Sequence, residues 1–356
     1  MTSPLSMPII DPHIHQWDLW NTPRILSLPR KLLGWNRSLY ETTLRLGARK
    51  RDRDYVGRLD YVAYDYLPQN YAADAAQLPI QQIVHVEAEW KDHSPLGPAG
   101  ETAWLEKIFD GVDRPRLGAI VGHAKLQSPH LNACLQAHLA ASKKLTGIRQ
   151  MLAFDHDRGI MRYCDQPELS RNPRWRLGLA QLADHQLVFD AWFFHHQLGE
   201  ARELALAFPT QTFVLDHMGT PIGYGGPFAS YGHTANDRDR IHKTWQEGMA
   251  ALAECPNVHI KLSGFFMPVV GFGFEHRTQT PSQQELSDAF TPACRFVLEQ
   301  FGADRCLFAS NFPMDKVSTS LFNLYQLYAN SVVDLPYADQ RKLFHDNAQR
   351  IYRIGA

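Results

Sequence analysis

Eight short runs of β-branched, aromatic and aliphatic residues alternate with eight amphipathic stretches, and this order constrains the fold more than any other feature of the chain. The runs cover residues 8–15 (PIIDPHIH), 83–90, 117–126, 145–152, 187–194, 212–219, 258–266 and 306–313. Helix-like patterns follow at 71–78, 102–109, 128–144, 175–185, 198–207, 237–254, 283–301 and 318–330. Strand-then-helix units in series predict a parallel sheet, because each helix carries the chain back to start the next strand in the same direction. Eight such units are the number that closes a (β/α)8 TIM barrel. The rival, an open doubly wound sheet, lacks its usual mark, since no G-x-G-x-x-G follows any of the strands. The expected fold is therefore α/β, a (β/α)8 barrel spanning 1–356 as one domain.

At 356 residues the chain exceeds the roughly 250 typical of such a barrel. The excess falls in three places: 16–67, 219–236 and 264–281. All three follow the C-terminal ends of strands, the face where barrel enzymes build their sites. The first is read as a lid or an interface insertion, and its aromatic content makes a homodimer an expected assembly. Composition excludes several alternatives. A net charge of -1 provides no basic footprint for nucleic acid. Charges, glycines and prolines interrupt every apolar stretch before it could span a membrane. The N-terminal MTSPLSMP has neither the charged nor the apolar region of a secretory signal. Five scattered cysteines form no C-x-x-C pair, so the expected compartment is a reducing cytoplasm.

The sharpest chemical signal is Asp11-Pro12-His13-Ile14-His15. Residues two apart on a strand face the same way, so His13 and His15 are expected to point together into the barrel mouth. Two imidazoles beside a buried acid suit a transition metal, or they can polarise a carbonyl; a pair of structural histidines at a polar strand end is the plainer reading. The other strands also end in polar residues: Glu87 and Glu89, His123 and Lys125, Arg149 and Gln150, His195 and His196, Asp216 and His217, Lys261 and Ser263, and Asn311. Glu87 has a second reading, as the partner of Lys125 or Arg149 in a buried ion pair. His85 and His259 lie deeper and are read as core histidines.

Together these segments resemble the amidohydrolase superfamily, in its amidohydrolase family 2 branch, near the group that contains sugar-lactone and 2-pyrone-4,6-dicarboxylate lactonases. The resemblance rests on IIDPHIHQWD, GIRQML, FVLDHMGTP, VHIKLSG, CLFASNFPMDK and FHDNAQRIYRI, in that order. It implies a distorted barrel and hydrolysis at a carbonyl. His13 and His15 match the family's strand-one H-x-H, and His217 matches the histidine of its D-H-[ML]-G segment. Arg149 matches a strand-four basic residue that holds an anionic substrate. Asn311 departs from the pattern, standing where most members carry an aspartate that acts as base and metal ligand. An amide has no usable basicity, so either the chemistry is altered or another acid serves: Glu87, Glu89, Asp216 or Asp315, with Asp315 and Glu89 preferred.

The activity these readings imply is hydrolysis of a carboxylate-bearing lactone or a related activated carboxyl compound. A carboxylate or His217 would orient water, while His13 and His15 polarise the carbonyl, directly or through one divalent ion. That ion, zinc or manganese, would sit on His13, His15 and His217; a metal-independent route is the alternative. Arg149, Lys261, Lys125 and His196 would bind the small anionic substrate. Two rivals stand beside this reading. One is a metal-dependent non-oxidative decarboxylase of an aromatic or dienoic acid. The other is a degenerate barrel that binds a ligand without turning it over.

Overall fold

A computed structural model describes residues 4–355. The first three residues of the stretch read for a secretory signal, and Ala356, lie outside the described residues. The eight expected strands are present in order: β1 (Ile9–Ile14), β2 (Ile80–Val86), β3 (Arg116–His123), β4 (Leu145–Arg149), β5 (Val188–Ala191), β6 (Phe213–Leu215), β7 (Val258–Leu262) and β8 (Cys306–Phe308). They form one sheet in which each pairs with the next in parallel. The sheet closes on itself just beyond β8. His15 N–H donates to Phe312 O at 2.8 Å, and Asn311 N–H donates to His13 O at 2.9 Å. Asp11 ties the same seam, accepting from Ser310 N–H at 2.9 Å and from Tyr71 OH at 2.6 Å.

Several strands end sooner than the sequence pattern suggested. β5 stops at Ala191, β6 at Leu215 and β8 at Phe308, where the chain turns into the mouth; only after β5 do the side chains remain apolar, in Trp192, Phe193 and Phe194. β2 begins three residues earlier than expected, because the half-buried Gln81 and Gln82 mask its start.

Helices α1 (Ser27–Leu33), α2 (Arg37–Gly47) and α3 (Lys50–Val56) occupy the insertion after β1. The outer ring is made of α4 (Pro68–Asp74), α5 (Ala99–Ile108), α6 (Leu131–Ala141), α7 (Pro173–Asp184), α8 (Leu198–Ala207), α9 (Ala235–Ala253), α10 (Gln283–Phe301) and α11 (Leu321–Ser331). Two short helices end the chain, α12 (Tyr337–Arg341) and α13 (Asn347–Ile351), joined by one π turn.

Strand alternation sorts the residues into layers. Ile83, Ile120, Phe189, Leu215 and Ile260 face the helix ring. Ile10, Val84, Val121, Val188, Val214 and Leu307 face inward and pack against Ala348, Ile351 and Tyr352, which plug the bottom of the barrel. Two residues above Val188 and Val214, on the same inward faces, stand Asp190 and Asp216. The barrel thus changes from an apolar floor to a charged layer within one strand repeat.

Candidate active site at the barrel mouth

The charged layer gathers side chains from six strands or their ends. β1 supplies His13 and His15, whose Nε2 atoms are 3.1 Å apart. His15 Nδ1 donates to Val86 O at 2.9 Å, which leaves its Nε2 unprotonated. Arg149 at the end of β4 donates through Nε to Glu87 Oε1 at 2.9 Å, and through its terminal nitrogens to Glu87 O at 2.8 Å and Asp216 Oδ2 at 3.3 Å. Lys261 of β7 donates to Asp190 and to His13 Nδ1.

His217 reaches this layer through an unusual turn. His217, Met218 and Thr220 all have left-handed backbones (φ 56°, 53° and 28°), a costly conformation for residues with a Cβ. Two indoles hold the turn: Trp245 Nε1 donates to Met218 O at 2.7 Å, and Trp192 Nε1 donates to Thr220 Oγ1 at 2.8 Å. The His217 ring then lies 4.5 Å from that of His13, with its Nδ1 3.0 Å from Ser263 Oγ. Gly264 makes room for it, since a Cβ there would come within 2.5 Å of the ring.

Burial keeps all three imidazoles neutral. It lowers His13 well below the ordinary histidine value, with Lys261 adding to the effect, and lowers His15 and His217 to about 3. Burial alone would raise Asp216, but Lys261 outweighs it and holds its carboxyl well below the usual carboxylate range. Asp190, facing the same lysine, is pushed up to about 6 by burial. The layer therefore offers neutral nitrogen donors and one firmly ionised carboxylate, the protonation states a divalent ion requires.

The structure brings together His13, His15, His217, Arg149 and Lys261, but it changes how two of them can be used. Arg149 and Lys261 were expected to grip a substrate carboxylate. Instead, Arg149 is engaged by Glu87 and Asp216, and the three ammonium protons of Lys261 face Asp190, Asp216 and His13. Lys125 is exposed, outside this cluster. His196 lies on the outer rim, bonded to Phe154 O at 3.2 Å. Glu89 is turned outward by a left-handed backbone and pairs with Lys91 at 3.2 Å. Asn311, also left-handed, donates to Asp315 Oδ1 at 3.3 Å. Asp190 was missed, although an aspartate inside VFDAWFF is a visible anomaly. Asp216, ranked behind Asp315 and Glu89, is the acid that stands among the histidines.

Asp315 is fully buried; its Oδ1 accepts from Asn311 Nδ2 at 3.3 Å, and its Oδ2 has no hydrogen-bond partner. Burial pushes it up to about 8, against an ordinary value of 3.8. Between those values the folded protein holds a proton that the unfolded chain has lost. Its contribution to stability is therefore full below the unfolded value and declines as pH rises toward 8. Asp315→Asn should remove that decline. Urea unfolding of both proteins at about pH 5 and about pH 8 checks this, and identical pH slopes would contradict it.

Three groups could hold a divalent ion: His13, Asp216 and His217 place one ligand atom each within 4.8 Å of one another. His15, the third member of the expected ligand triad, stands beside this set with its Nε2 3.1 Å from His13 Nε2. Donor chemistry supports the fit. Asp216 Oδ1 is buried with no hydrogen bond, although the Lys261 ammonium lies 3.1 Å away, close enough for Coulomb attraction. A bare carboxylate oxygen beside neutral imidazoles is what a hard or borderline cation completes.

The mouth above this layer is roofed by an apolar cluster that includes Tyr55, Trp192, Ile222, Met267 and Val270. Tyr55 comes from α3 of the insertion. Its ring is 5.6 Å from Tyr163, Tyr163 is 4.4 Å from Trp192, and Trp192 is 5.5 Å from His217. The 150–172 loop after β4, which carries Tyr163, was not singled out as a wall from sequence.

A closed parallel barrel with histidines and a carboxylate at the C-terminal ends of its strands defines a (β/α)8 protein with an enzyme-type site at its mouth. More specifically, the chain belongs to the amidohydrolase family, whose model matches residues 10–354. It is 31% identical to the uncharacterized protein y4mH of Sinorhizobium fredii, over 97% of this chain and 98% of that one. It is 27% identical to an L-fucono-1,5-lactonase of Burkholderia ambifaria, over 83% of this chain and 88% of that one. An amidohydrolase crystal structure from Burkholderia multivorans with bound zinc superposes with a TM-score of 0.68 at 21% identity, covering 98% of this chain and all of that one. Among the described residues, no helix is long and apolar enough to cross a membrane.

Proposed function

We propose that this protein is a metal-dependent hydrolase that opens a lactone ring. The observation that carries this reading is the set of His13, Asp216 and His217, with neutral imidazoles and an ionised carboxylate buried together. His217, lowered to about 3, is too weak a base to take a proton from free water near neutrality. A zinc or manganese ion on these three residues would supply the missing acidity, polarising a carbonyl and lowering the pKa of water. Asp216 takes the place left by Asn311, His15 orders His13 from behind, and Trp192 and Tyr163 wall the ring. Because Arg149 and Lys261 are engaged inside the protein, the ring ester itself, rather than a substrate carboxylate, is the recognised feature. Similarity to an L-fucono-1,5-lactonase supports a lactone over other activated carboxyl compounds.

The chain acts as a single domain in this reading, with 16–67 as a lid whose Tyr55 closes the mouth. A groove of about 340 Å³ runs beside α3, between Lys50, Phe228 and His276. The outer face of the lid exposes Ile25, Leu28, Leu32, Trp35 and Leu39, a stripe that supports a homodimer. Sedimentation of Leu28→Glu/Leu32→Glu should show monomers where the parent shows dimers. All five cysteines are free, in keeping with the cytoplasm.

The test is a pH-stat assay of the protein with excess zinc or manganese against a panel of five- and six-membered lactones. One acid equivalent released per lactone consumed is expected. Carbon dioxide release from aromatic acids, with every lactone untouched, would overturn the reading in favour of decarboxylation. Tight lactone binding without turnover would overturn it in favour of a degenerate barrel.

A further inference from the structure

His13 and Asp216 are wholly buried, and His217 is 2% exposed. Such values leave no water-sized space against these groups, inside the barrel or above it. Neither an ion nor a lactone can reach them until part of the roof moves. That roof is built from α3 and from the loops after β4, β5, β6 and β7.

Hydrogen bonds separate the fixed parts of the roof from the part that can leave. The barrel loops are laced to one another: Gly223 N–H donates to Val269 O at 3.0 Å, Gly225 N–H to Val270 O at 2.8 Å, and Tyr231 OH to Asp155 Oδ2 at 2.6 Å. The base of the insertion is equally fixed. Trp17 and Tyr66 exchange both backbone bonds, at 3.1 and 3.0 Å. Arg24 pairs with the buried Glu101 at 2.7 Å, its guanidinium over Trp90 and Trp104. The tip, 49–58, is held differently. Its long-range hydrogen bonds run back into the insertion, from Arg53 to Arg45 O at 2.7 Å and to Ala48 O at 2.9 Å. Among the described residues it makes no ion pair with the barrel loops it covers. Tyr55 is its anchor there: the hydroxyl meets the Met267 thioether, a weak acceptor, at 3.8 Å, and the Tyr163 phenol. Gly57 (φ 71°) seats against Glu275 and Pro268, where a Cβ would come within 2.9 Å and 3.1 Å of their side chains. With α3 only seven residues long, packing at these two points, rather than helix propensity, sets its position.

We propose that 49–58 is the gate of the site and that Tyr55 is its plug, lifting off Tyr163 and Trp192 to admit the ion and the lactone while the base of the insertion stays in place. The inference rests on the reading of the mouth as the active site. A segment with few polar ties to the rest of the fold opens locally at far lower cost than global unfolding. Because the bond to sulfur is weak, the Tyr55 ring, more than its hydroxyl, does the closing.

The experiment reads access without requiring a metal or a substrate. Zinc-free protein is treated with diethyl pyrocarbonate, which acylates neutral imidazoles, and the rate at each histidine is followed by peptide mass spectrometry. His276, with its side chain 74% exposed, reports free access, and the buried His138 on α6 reports global unfolding. In the parent, His217 should react at least tenfold more slowly than His276. Tyr55→Ala should raise the His217 rate at least tenfold, and Tyr55→Phe should leave it within twofold. Gly57→Ala keeps the plug and penalises its seat; it should raise the rate several-fold, and it carries the test if Tyr55→Ala fails to fold. His138 should respond to none of them. With zinc bound, both alanine variants should release the metal to a chelator several-fold faster than the parent. An unchanged His217 rate in both alanine variants, zinc release equal to the parent's, or a His138 rate that rises in step with His217 overturns the gate. Failure of every protein to bind zinc overturns the metal-centre reading, while the His217 rates still decide the gate.

Discussion

Asp216→Asn should lower kcat for lactone opening by about a thousandfold, within the range expected when a group that orders a metal-activated water loses its charge. The amide keeps the size of the carboxylate. Arg149 retains Glu87, and Lys261 retains Asp190, so each buried cation still has one anionic partner. The fold should therefore survive with a loss of about 1–2 kcal/mol, the scale of a weakened charged hydrogen bond. The discriminating result is a collapse of kcat and of bound zinc together, with cooperative melting preserved. A variant that keeps more than a tenth of the parent rate would show that the acid which replaces the strand-eight aspartate lies elsewhere.

The second large effect is on stability. Glu87 and Arg149 form an almost fully buried pair, with side-chain exposures of 2% and 5%. Burial alone would raise the Glu87 carboxyl, but Arg149 outweighs it and holds the group below its usual value. Removing one member of such a pair leaves an uncompensated charge, which typically costs about 3–5 kcal/mol. Glu87→Ala should fall at the lower end, about 3 kcal/mol, because Asp216 still faces Arg149 at 3.3 Å. For a chain of this size, that lowers the melting midpoint by roughly 4 °C. Glu87→Leu combined with Arg149→Met, which removes both charges and fills the space, should recover most of the loss. Calorimetry decides the matter, and a midpoint for Glu87→Ala within a degree of the parent would contradict the account of this pair.

The parts of the fold that sequence reveals are those governed by short periodicity. Alternating strands and helices predict the barrel, and the two-residue repeat places His13 and His15 side by side. The same repeat, applied from Val188 and Val214, would have pointed Asp190 and Asp216 inward. They were underrated because an isolated acid within an apolar run reads as the end of a strand. Other features depend on contacts that local pattern does not encode. Charge type marks Arg149 and Lys261 as cations, yet only the closed barrel shows that carboxylates from β2, β5 and β6 engage them. The left-handed turn at His217 and Met218 is stabilised by distant indoles, from Trp192 and Trp245. Asp315 has the composition of a catalytic acid, but it is fully buried, its carboxyl raised by burial and bonded to Asn311 of its own loop. The segment 16–67 was legible as an insertion, whereas the aromatic column from Tyr55 to His217 was not, because its members come from separate segments of the chain.

The most direct test of the central claim is anomalous X-ray diffraction at the zinc edge from crystals of the full chain grown with excess zinc. The account predicts one strong peak per chain at the barrel mouth, within bonding distance of His13, Asp216 and His217. A lactonase-active crystal with no peak there, or with its only peak among surface residues, would contradict it.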